Sequence, residues 1–124
     1  MTIAANVGDV AILNFNACFP DSVVGFFPKN GIELVYLYYA LKAMKQQFLK
    51  NAIISTQMNL NIDIIQEESV TVAPLHEQRQ IADFLDRKCS AIDATISKKQ
   101  ALIEKLTAYK KSLIYEVVTG KKEV

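Results

Sequence analysis

The sequence predicts an α+β chain, in which a small unit of short strands and one helix is followed by a long C-terminal coiled-coil helix. All three prolines and three of the four glycines lie in residues 1–75, and neither residue type occurs between Pro74 and Gly120. Residues 1–75 hold four lysines and six acids, a net charge of −2, whereas residues 76–124 hold ten basic residues and seven acids, a net charge of +3. The composition therefore divides the chain near Pro74.

Three short apolar runs in the first segment are predicted to be strands. Residues 9–15 form the first run, and residues 22–27 form a second that ends at Pro28. Turn-forming residues bound both runs. Val70 and Val72 alternate with polar residues and predict a brief, half-buried strand. These are few elements for a closed core, so we expect the first segment to be an incomplete unit.

One amphipathic helix is predicted within the first segment, over residues 33–50, because apolar residues recur there at intervals of three and four. These residues are Leu34, Leu37, Leu41, Met44 and Phe48. The polar run over residues 55–61 is expected to form a loop or a short turn of helix. Glu67 and Glu68 are expected to form a solvated turn.

The second segment is predicted to be one uninterrupted helix from about His76 to Thr119, since no proline or glycine breaks it. Glu77 lies in its first turn, where an acidic residue suits the helix dipole, and Gly120 is suited to cap its C-terminus. Such a helix would be about 65 Å long. The preceding residues could cover only one end of it.

The apolar residues of this helix follow a heptad repeat, and nine of the eleven a and d positions are apolar. The a positions are Ala82, Cys89, Ile96, Ile103, Lys110 and Val117, and the d positions are Leu85, Ile92, Lys99, Leu106 and Leu113. The predicted coiled-coil interface consists of Leu85, Cys89, Ile92, Ile96, Ile103, Leu106, Leu113 and Val117. We expect a second long helix alongside it, from another protein or, by preference, from a second copy in an antiparallel homodimer.

Two lysines, Lys99 and Lys110, interrupt this seam. A lysine at such a position fixes the register, extends along the apolar surface towards water, or faces an acidic residue of the partner. The alternative is that both lysines border a fraying part of the seam.

The composition excludes several classes of protein. The 14 Lys and Arg nearly balance the 13 Asp and Glu, which excludes a strongly basic, nonspecific nucleic-acid coat. No run approaches the roughly 18 to 20 apolar residues of a membrane span, and residues 1–6 lack the basic region of a signal peptide. Cys18 and Cys89 are therefore expected to be reduced thiols in a cytoplasmic protein.

No catalytic, metal or cofactor site is predicted. His76 is the only histidine and is interpreted as structural. The cysteines lack the C-x-x-C spacing of a zinc site, and Gly8 stands outside any glycine-rich phosphate loop. An enzyme is the least favoured class.

Polar side chains around residues 55–61 favour DNA recognition. Asn and Gln can bond base edges, Ser and Thr can bond bases or phosphates, and Lys can hold phosphate oxygens. The candidate DNA-binding residues are Lys29, Lys50, Ser55, Thr56, Gln57, Asn59 and Asn61. The alternative is that Asn and Gln here cap turns and satisfy backbone groups. The absence of arginine from residues 1–75 argues against strong DNA affinity by this segment alone.

The start of the predicted long helix resembles a signature of the specificity subunits of type I restriction–modification systems. The matching residues are Pro74, Leu75, Glu77, Gln78, Ile81, Ala82, Leu85 and Asp86. Residues 8–13, 36–41, 55–61 and 117–121 are also similar to that family. The resemblance covers essentially the whole chain.

This resemblance implies a non-catalytic subunit that reads a DNA sequence. Residues 1–74 would be the later part of a target recognition domain, and residues 75–124 the conserved spacer and dimerisation helix. In the family, two recognition domains each read half of a split target. An antiparallel helix pair sets the gap between the halves and docks methyltransferase subunits, to which restriction subunits are added. The methyl donor and ATP belong to those partners, so no cofactor is expected here.

The chain departs from the family in having one recognition unit and one helix. The resemblance leads us to expect that the earlier strands and loops of a recognition domain are missing from it. We therefore expect a fragment of a specificity subunit that binds DNA and docks methyltransferase subunits through its helix. The alternative is a dimerising and docking module that no longer reads DNA.

Overall fold

A computed structural model of the protein describes residues 1–54 and 58–123, with the backbone alone described at residues 53–54 and 58–59. The chain divides into two compact units, Met1–Leu85 (unit 1) and Asp86–Val124 (unit 2). The helices are α1 (Leu34–Ala43), α2 (Lys45–Asn51), α3 (Ile62–Glu67) and α4 (Leu75–Val118). The strands are β1 (Ile53–Ile54) and β2 (Met58–Asn59).

The expected α+β class is not confirmed, because the described residues are mostly helical. β1 and β2 are two residues long and pair antiparallel, with Ile53 opposite Asn59 and Ile54 opposite Met58. An isolated bridge joins Thr2 to Val23. The described part of the chain contains no further strand.

The strands predicted over residues 9–15, 22–27 and 70–72 are wrong. A strand requires a neighbouring backbone to bond along its length, and apolar alternation does not supply one. The bonds found here join single points: the Ile3 amide donates to the Ser22 carbonyl, 2.9 Å away, and the Leu60 amide to the Ile3 carbonyl, 2.8 Å away. The residues of the first run do not form a buried strand, and Phe15 is 66% exposed.

The predicted helix over residues 33–50 is confirmed as helical but is divided at Met44, between α1 and α2. Glu33 caps α1, because its carboxylate accepts a hydrogen bond from the Tyr36 amide at 2.7 Å. At Met44 the backbone has ψ −3°, which interrupts the helix. The buried Leu41 and Phe48 lie on either side of the break, so the apolar period continues across it and conceals it.

The core of unit 1 lies around Phe48, which is fully buried. The other buried members of this cluster are Met1, Val7, Leu41, Ala52, Leu60 and Ile65. The Met1 α-amino group donates to the Val24 carbonyl at 2.9 Å, and partial burial lowers the pKa of that amino group. The core is small for the 85 residues of this unit.

Residues 55–61 were expected to be a loop or a short turn of helix. Ser55, Thr56 and Gln57 lie outside the described residues, and β2 follows them. The helix α3, which the sequence interpretation missed, begins directly after Asn61. Its start matches two ordinary features of a helix N-terminus, since Asn61 caps it and Asp63 lies in its first turn.

The long helix predicted from about His76 to Thr119 is confirmed as α4. Gly120 has φ +71°, a conformation that glycine adopts without strain. Its amide donates to the Val117 carbonyl at 3.1 Å, and the Lys121 amide donates to the Glu116 carbonyl at 2.8 Å. These two bonds form a Schellman motif, which satisfies carbonyls that the helix itself leaves free.

Candidate nucleic-acid interface and helix seam

Two of the candidate DNA-binding residues are lysines on the surface of unit 1. Lys29 lies in the turn before α1, where its carbonyl accepts a hydrogen bond from the Ile32 amide at 3.1 Å. Lys50 lies in the last turn of α2. Both residues are exposed. Each ammonium group is therefore accessible to a phosphate, although a phosphate contact alone carries no base specificity.

The predicted base-reading residues are placed less completely. Ser55, Thr56 and Gln57 lie outside the described residues, and Asn59 is described by its backbone alone. Asn61 is exposed, but its Oδ1 accepts the Asp63 amide at 3.1 Å and so caps α3. For Asn61 the capping interpretation is therefore confirmed. The described residues neither support nor oppose base reading by the other four.

Helix α2 is attached to the segment after α3 by contacts that the sequence interpretation missed. Glu68 accepts a hydrogen bond from Gln47 at 2.5 Å and another from Asn51 at 2.6 Å. The predicted solvated turn at Glu67 and Glu68 is confirmed only in part, because Glu67 ends α3 and is exposed, whereas Glu68 is half-buried. The sequence pair Glu67-Glu68 does not by itself indicate that two side-chain amides on α2 lie beside Glu68. These bonds fix the end of α2, which carries Lys50.

An ion pair holds the beginning of α2. The Lys45 ammonium group contacts the Asp9 carboxylate, and both side chains remain partly exposed. An exposed pair of this kind contributes little to stability, about 0 to 1 kcal/mol. Its effect here is to occupy the Lys45 charge, so this lysine is a poorer phosphate ligand than Lys29 or Lys50.

Unit 1 also contains an open apolar groove of about 980 Å³. Asp9 is the charged residue among its lining residues, and the lining includes the exposed side chains of Leu13, Phe15 and Phe27. Phe27 is 84% exposed. An apolar lining does not suit the phosphate backbone of DNA, so the groove is not part of the candidate nucleic-acid interface.

The predicted seam along α4 begins at a buried residue and continues with solvent-exposed residues. Ala82 is buried within unit 1. Further along, Ile92, Ile96, Ile103 and Leu106 are each more than half exposed. The remaining predicted interface residues, Leu85, Cys89, Leu113 and Val117, are half-buried. Four exposed aliphatic side chains at a/d spacing form an apolar surface that water solvates poorly.

Over the last part of α4, the apolar surface is wider than the stripe that the a and d positions form. Leu102, Tyr109 and Ile114, at neighbouring g and e positions, are each exposed by more than half. The a/d assignment missed these residues because it counts a narrow stripe. Lys99 and Lys110 are exposed as well.

The remaining groups considered for chemistry are at the surface. His76 is exposed, and its Nε2 lies 3.8 Å from the Glu77 carboxylate. Cys18 is exposed and Cys89 half-buried, and both thiols are free. Across the described ranges, no three His, Cys, Asp or Glu side chains are grouped so that they could hold a metal ion. Nor does any helix in those ranges combine the length and apolar character that a membrane crossing requires.

Comparison with known proteins identifies the family of this chain. No solved structure matches it significantly. The family model described as the type I restriction modification DNA specificity domain matches residues 1–107, which include all the elements before α4 and most of α4 itself. With most of its length matched, the chain belongs to the family of type I restriction modification DNA specificity domains.

Proposed function

We propose that the chain is a fragment of a type I restriction–modification specificity subunit that contacts DNA through unit 1 and docks methyltransferase subunits through α4. In this proposal residues 1–74 act as part of a target recognition domain and residues 75–124 as the spacer and dimerisation helix. The chain does no chemistry of its own, since methyl transfer and DNA cleavage belong to its partners. The exposed apolar seam of α4, on a chain of this family, is the observation that most supports the proposal.

The proposed DNA contact depends on few positive charges. Lys29 and Lys50 are exposed, and the sequence over residues 55–61 supplies the candidate base-reading groups. Because the first 75 residues have a net charge of −2, nonspecific attraction to the duplex is weak. Binding should therefore require low salt for this chain alone and improve when the partners add their own contacts.

The proposed pairing partner of α4 is the same helix of a second copy, in antiparallel orientation. Pairing would cover Ile92, Ile96, Ile103 and Leu106, each more than half exposed in the single chain. A two-fold dimer uses the same surface on both copies, so one apolar stripe is enough. An antiparallel pair would also give the dimer two recognition units, as the family arrangement requires.

The alternative is a dimerising and docking module that no longer reads DNA. The small core of unit 1 and the uncovered apolar groove favour it, because both are features of an incomplete domain. The two functions differ in one observable. The recognition fragment binds duplex DNA at low salt, whereas the docking module binds purified methyltransferase subunits but no oligonucleotide.

The test is a salt titration of duplex binding by fluorescence anisotropy, with Lys29→Ala, Lys50→Ala and the control Lys122→Ala. Each lost phosphate contact should reduce the slope of log K against log salt by about 0.9. Lys122 lies beyond α4 and undergoes the same change of charge, so its replacement should leave the slope nearly unchanged. If the unaltered chain does not bind duplex DNA even at low salt, the docking module is favoured.

A further inference from the structure

Gln78, the fourth residue of α4, is fully buried, and it is the buried polar side chain among the described residues of unit 1. Burying an amide is costly unless the amide makes its hydrogen bonds. The Gln78 Oε1 accepts the backbone amide of Glu33 at 2.8 Å. Its Nε2 donates to the carbonyls of Gly31 at 2.9 Å and Ala73 at 2.7 Å. Both amide hydrogens and the oxygen are thus engaged by backbone groups.

The orientation of this amide follows from its partners. Two carbonyl oxygens face Nε2 and one backbone N–H faces Oε1. If nitrogen and oxygen exchanged places, acceptor would face acceptor and donor would face donor. No aliphatic side chain can pair with the three backbone groups of this partly buried site, and a carboxylate can satisfy only one of them.

The partners of Gln78 come from two separate stretches of chain. Gly31 and Glu33 precede α1, whereas Ala73 lies in the linker after α3. A further bond joins the same stretches, because the Tyr36 hydroxyl donates to the Thr71 carbonyl at 2.7 Å. Gly31 has φ +89°, so the turn that presents its carbonyl to Nε2 favours glycine.

We propose that Gln78 is a positioning residue, whose amide ties the first turn of α4 to the turn before α1 and to the preceding linker, so that the start of the helix is held in one position within unit 1. The helix start is then part of the fold of unit 1 and cannot pivot at Pro74. The structural part of this inference stands on the three hydrogen bonds. That the same unit contacts DNA rests on the proposed function.

Pulsed electron paramagnetic resonance can measure directly whether the start of α4 is held in one position within unit 1. Spin labels at Gln46→Cys on α2 and Ile81→Cys on α4, both within unit 1, report one intramolecular distance, in a background of Cys18→Ser and Cys89→Ser. Both label positions are exposed. Dilution with unlabelled protein removes distances between copies. Neither DNA nor a partner protein is present, so the result does not depend on whether the proposed function is correct.

Gln78→Leu keeps the bulk of the side chain and removes its hydrogen bonds. We expect loss of the single narrow distance and a fall in Tm of about 10 °C, since three backbone groups of a partly buried site lose their partner. Gln80→Leu is the matched control, because Gln80 lies two residues further along α4 and is exposed. A folded Gln78→Leu protein with the same narrow distance as the control overturns the proposal.

Gln78→Glu supplies a test that also works if Gln78→Leu fails to fold. A protonated carboxyl group can still accept from the Glu33 amide and donate to one carbonyl, whereas its ionised form faces two carbonyl oxygens. Burial and those oxygens should raise the pKa of the introduced carboxyl group above its unfolded value. The folded state then binds more protons, so its stability is retained at low pH and lost as the pH rises through the folded pKa.

The Gln78→Glu protein should therefore recover the narrow distance and a higher Tm at pH 4.5 relative to pH 7.5, after subtraction of the change seen with Gln80→Glu. Simple loss of packing would not depend on pH in this way. A Gln78→Glu protein whose distance and Tm match the Gln80→Glu control at both pH values overturns the proposal. A protein that remains unfolded at the lower pH also counts against it.

Discussion

Charges introduced into the middle of the α4 seam should separate the proposed dimer. Ile96→Asp and Ile103→Asp replace two a-position residues that are 58% and 54% exposed in the single chain. Full burial of an isoleucine side chain is worth about 1.5 to 3 kcal/mol, so covering the exposed half contributes about 1 kcal/mol per side chain. Four such side chains in the dimer contribute about 4 kcal/mol.

The doubly substituted chain should therefore dimerise at least about 10³-fold more weakly, since each 1.4 kcal/mol is a factor of ten in the dissociation constant. Four carboxylates brought into the seam would weaken it further by repulsion and desolvation. Sedimentation velocity across a concentration series measures this directly. The matched control is Ser90→Asp with Ser97→Asp, which places the same charges at exposed b positions of the same helix.

Two results would refute the reasoning about the seam. One is an unaltered chain that sediments as a monomer at high micromolar concentration. The other is a dimer whose dissociation constant is the same with Ile96→Asp and Ile103→Asp as with the serine control. In either case the exposed apolar stripe of α4 would not be a surface for self-association.

Two further substitutions test local interpretations. Lys99→Leu should strengthen the dimer if the lysine merely interrupts the seam, and should weaken it if the ammonium group pairs with an acidic residue of the partner. The dissociation constant from sedimentation equilibrium distinguishes these two outcomes, and an unchanged constant would place Lys99 outside the interface. Asn61→Ala should remove the cap of α3 and destabilise unit 1 by about 1 kcal/mol, which corresponds to a fall in Tm of about 4–8 °C. Asn61→Asp retains an oxygen that can cap the helix, so it should change Tm less. Equal Tm values for the two variants would contradict the capping role.

The long helix could be predicted from sequence because every requirement for it is local. A stretch without proline or glycine, an apolar period near 3.5 and a glycine at the right distance are all visible in the chain. The structure ends α4 with Gly120 in the left-handed conformation that the glycine implies. The helix over residues 33–50 was predicted for the same reason. Its break at Met44 was not predicted, because the apolar spacing continues through the break.

The strands could not be predicted correctly because pairing is not a local property. Residues 9–15 have the apolar content of a strand, yet Leu13 and Phe15 are exposed and line an open groove. Whether such a run becomes a strand depends on a neighbour that its own sequence does not specify. The described residues supply only short pairings around Thr2 and between β1 and β2.

The candidate site shows the same limit for side chains. The exposure of Lys29 and Lys50 agrees with their position beside turns. Asn61 was assigned to base reading, although Asn followed by Asp two residues later is also typical of a helix N-terminus, and the structure uses it as a cap. Gln78 stood in the signature that resembles the family, but its three backbone partners are brought together only by the fold.

The central claim is that two copies of this chain, paired through α4, read DNA together. The most direct measurement is selection of bound sequences from a randomised duplex pool by the dimeric protein at low salt. Because the proposed dimer has two-fold symmetry, it should enrich two identical half-sites in inverted orientation, separated by a fixed gap. A pool that remains random after repeated rounds would contradict the claim, as would a single half-site without a partner at constant distance.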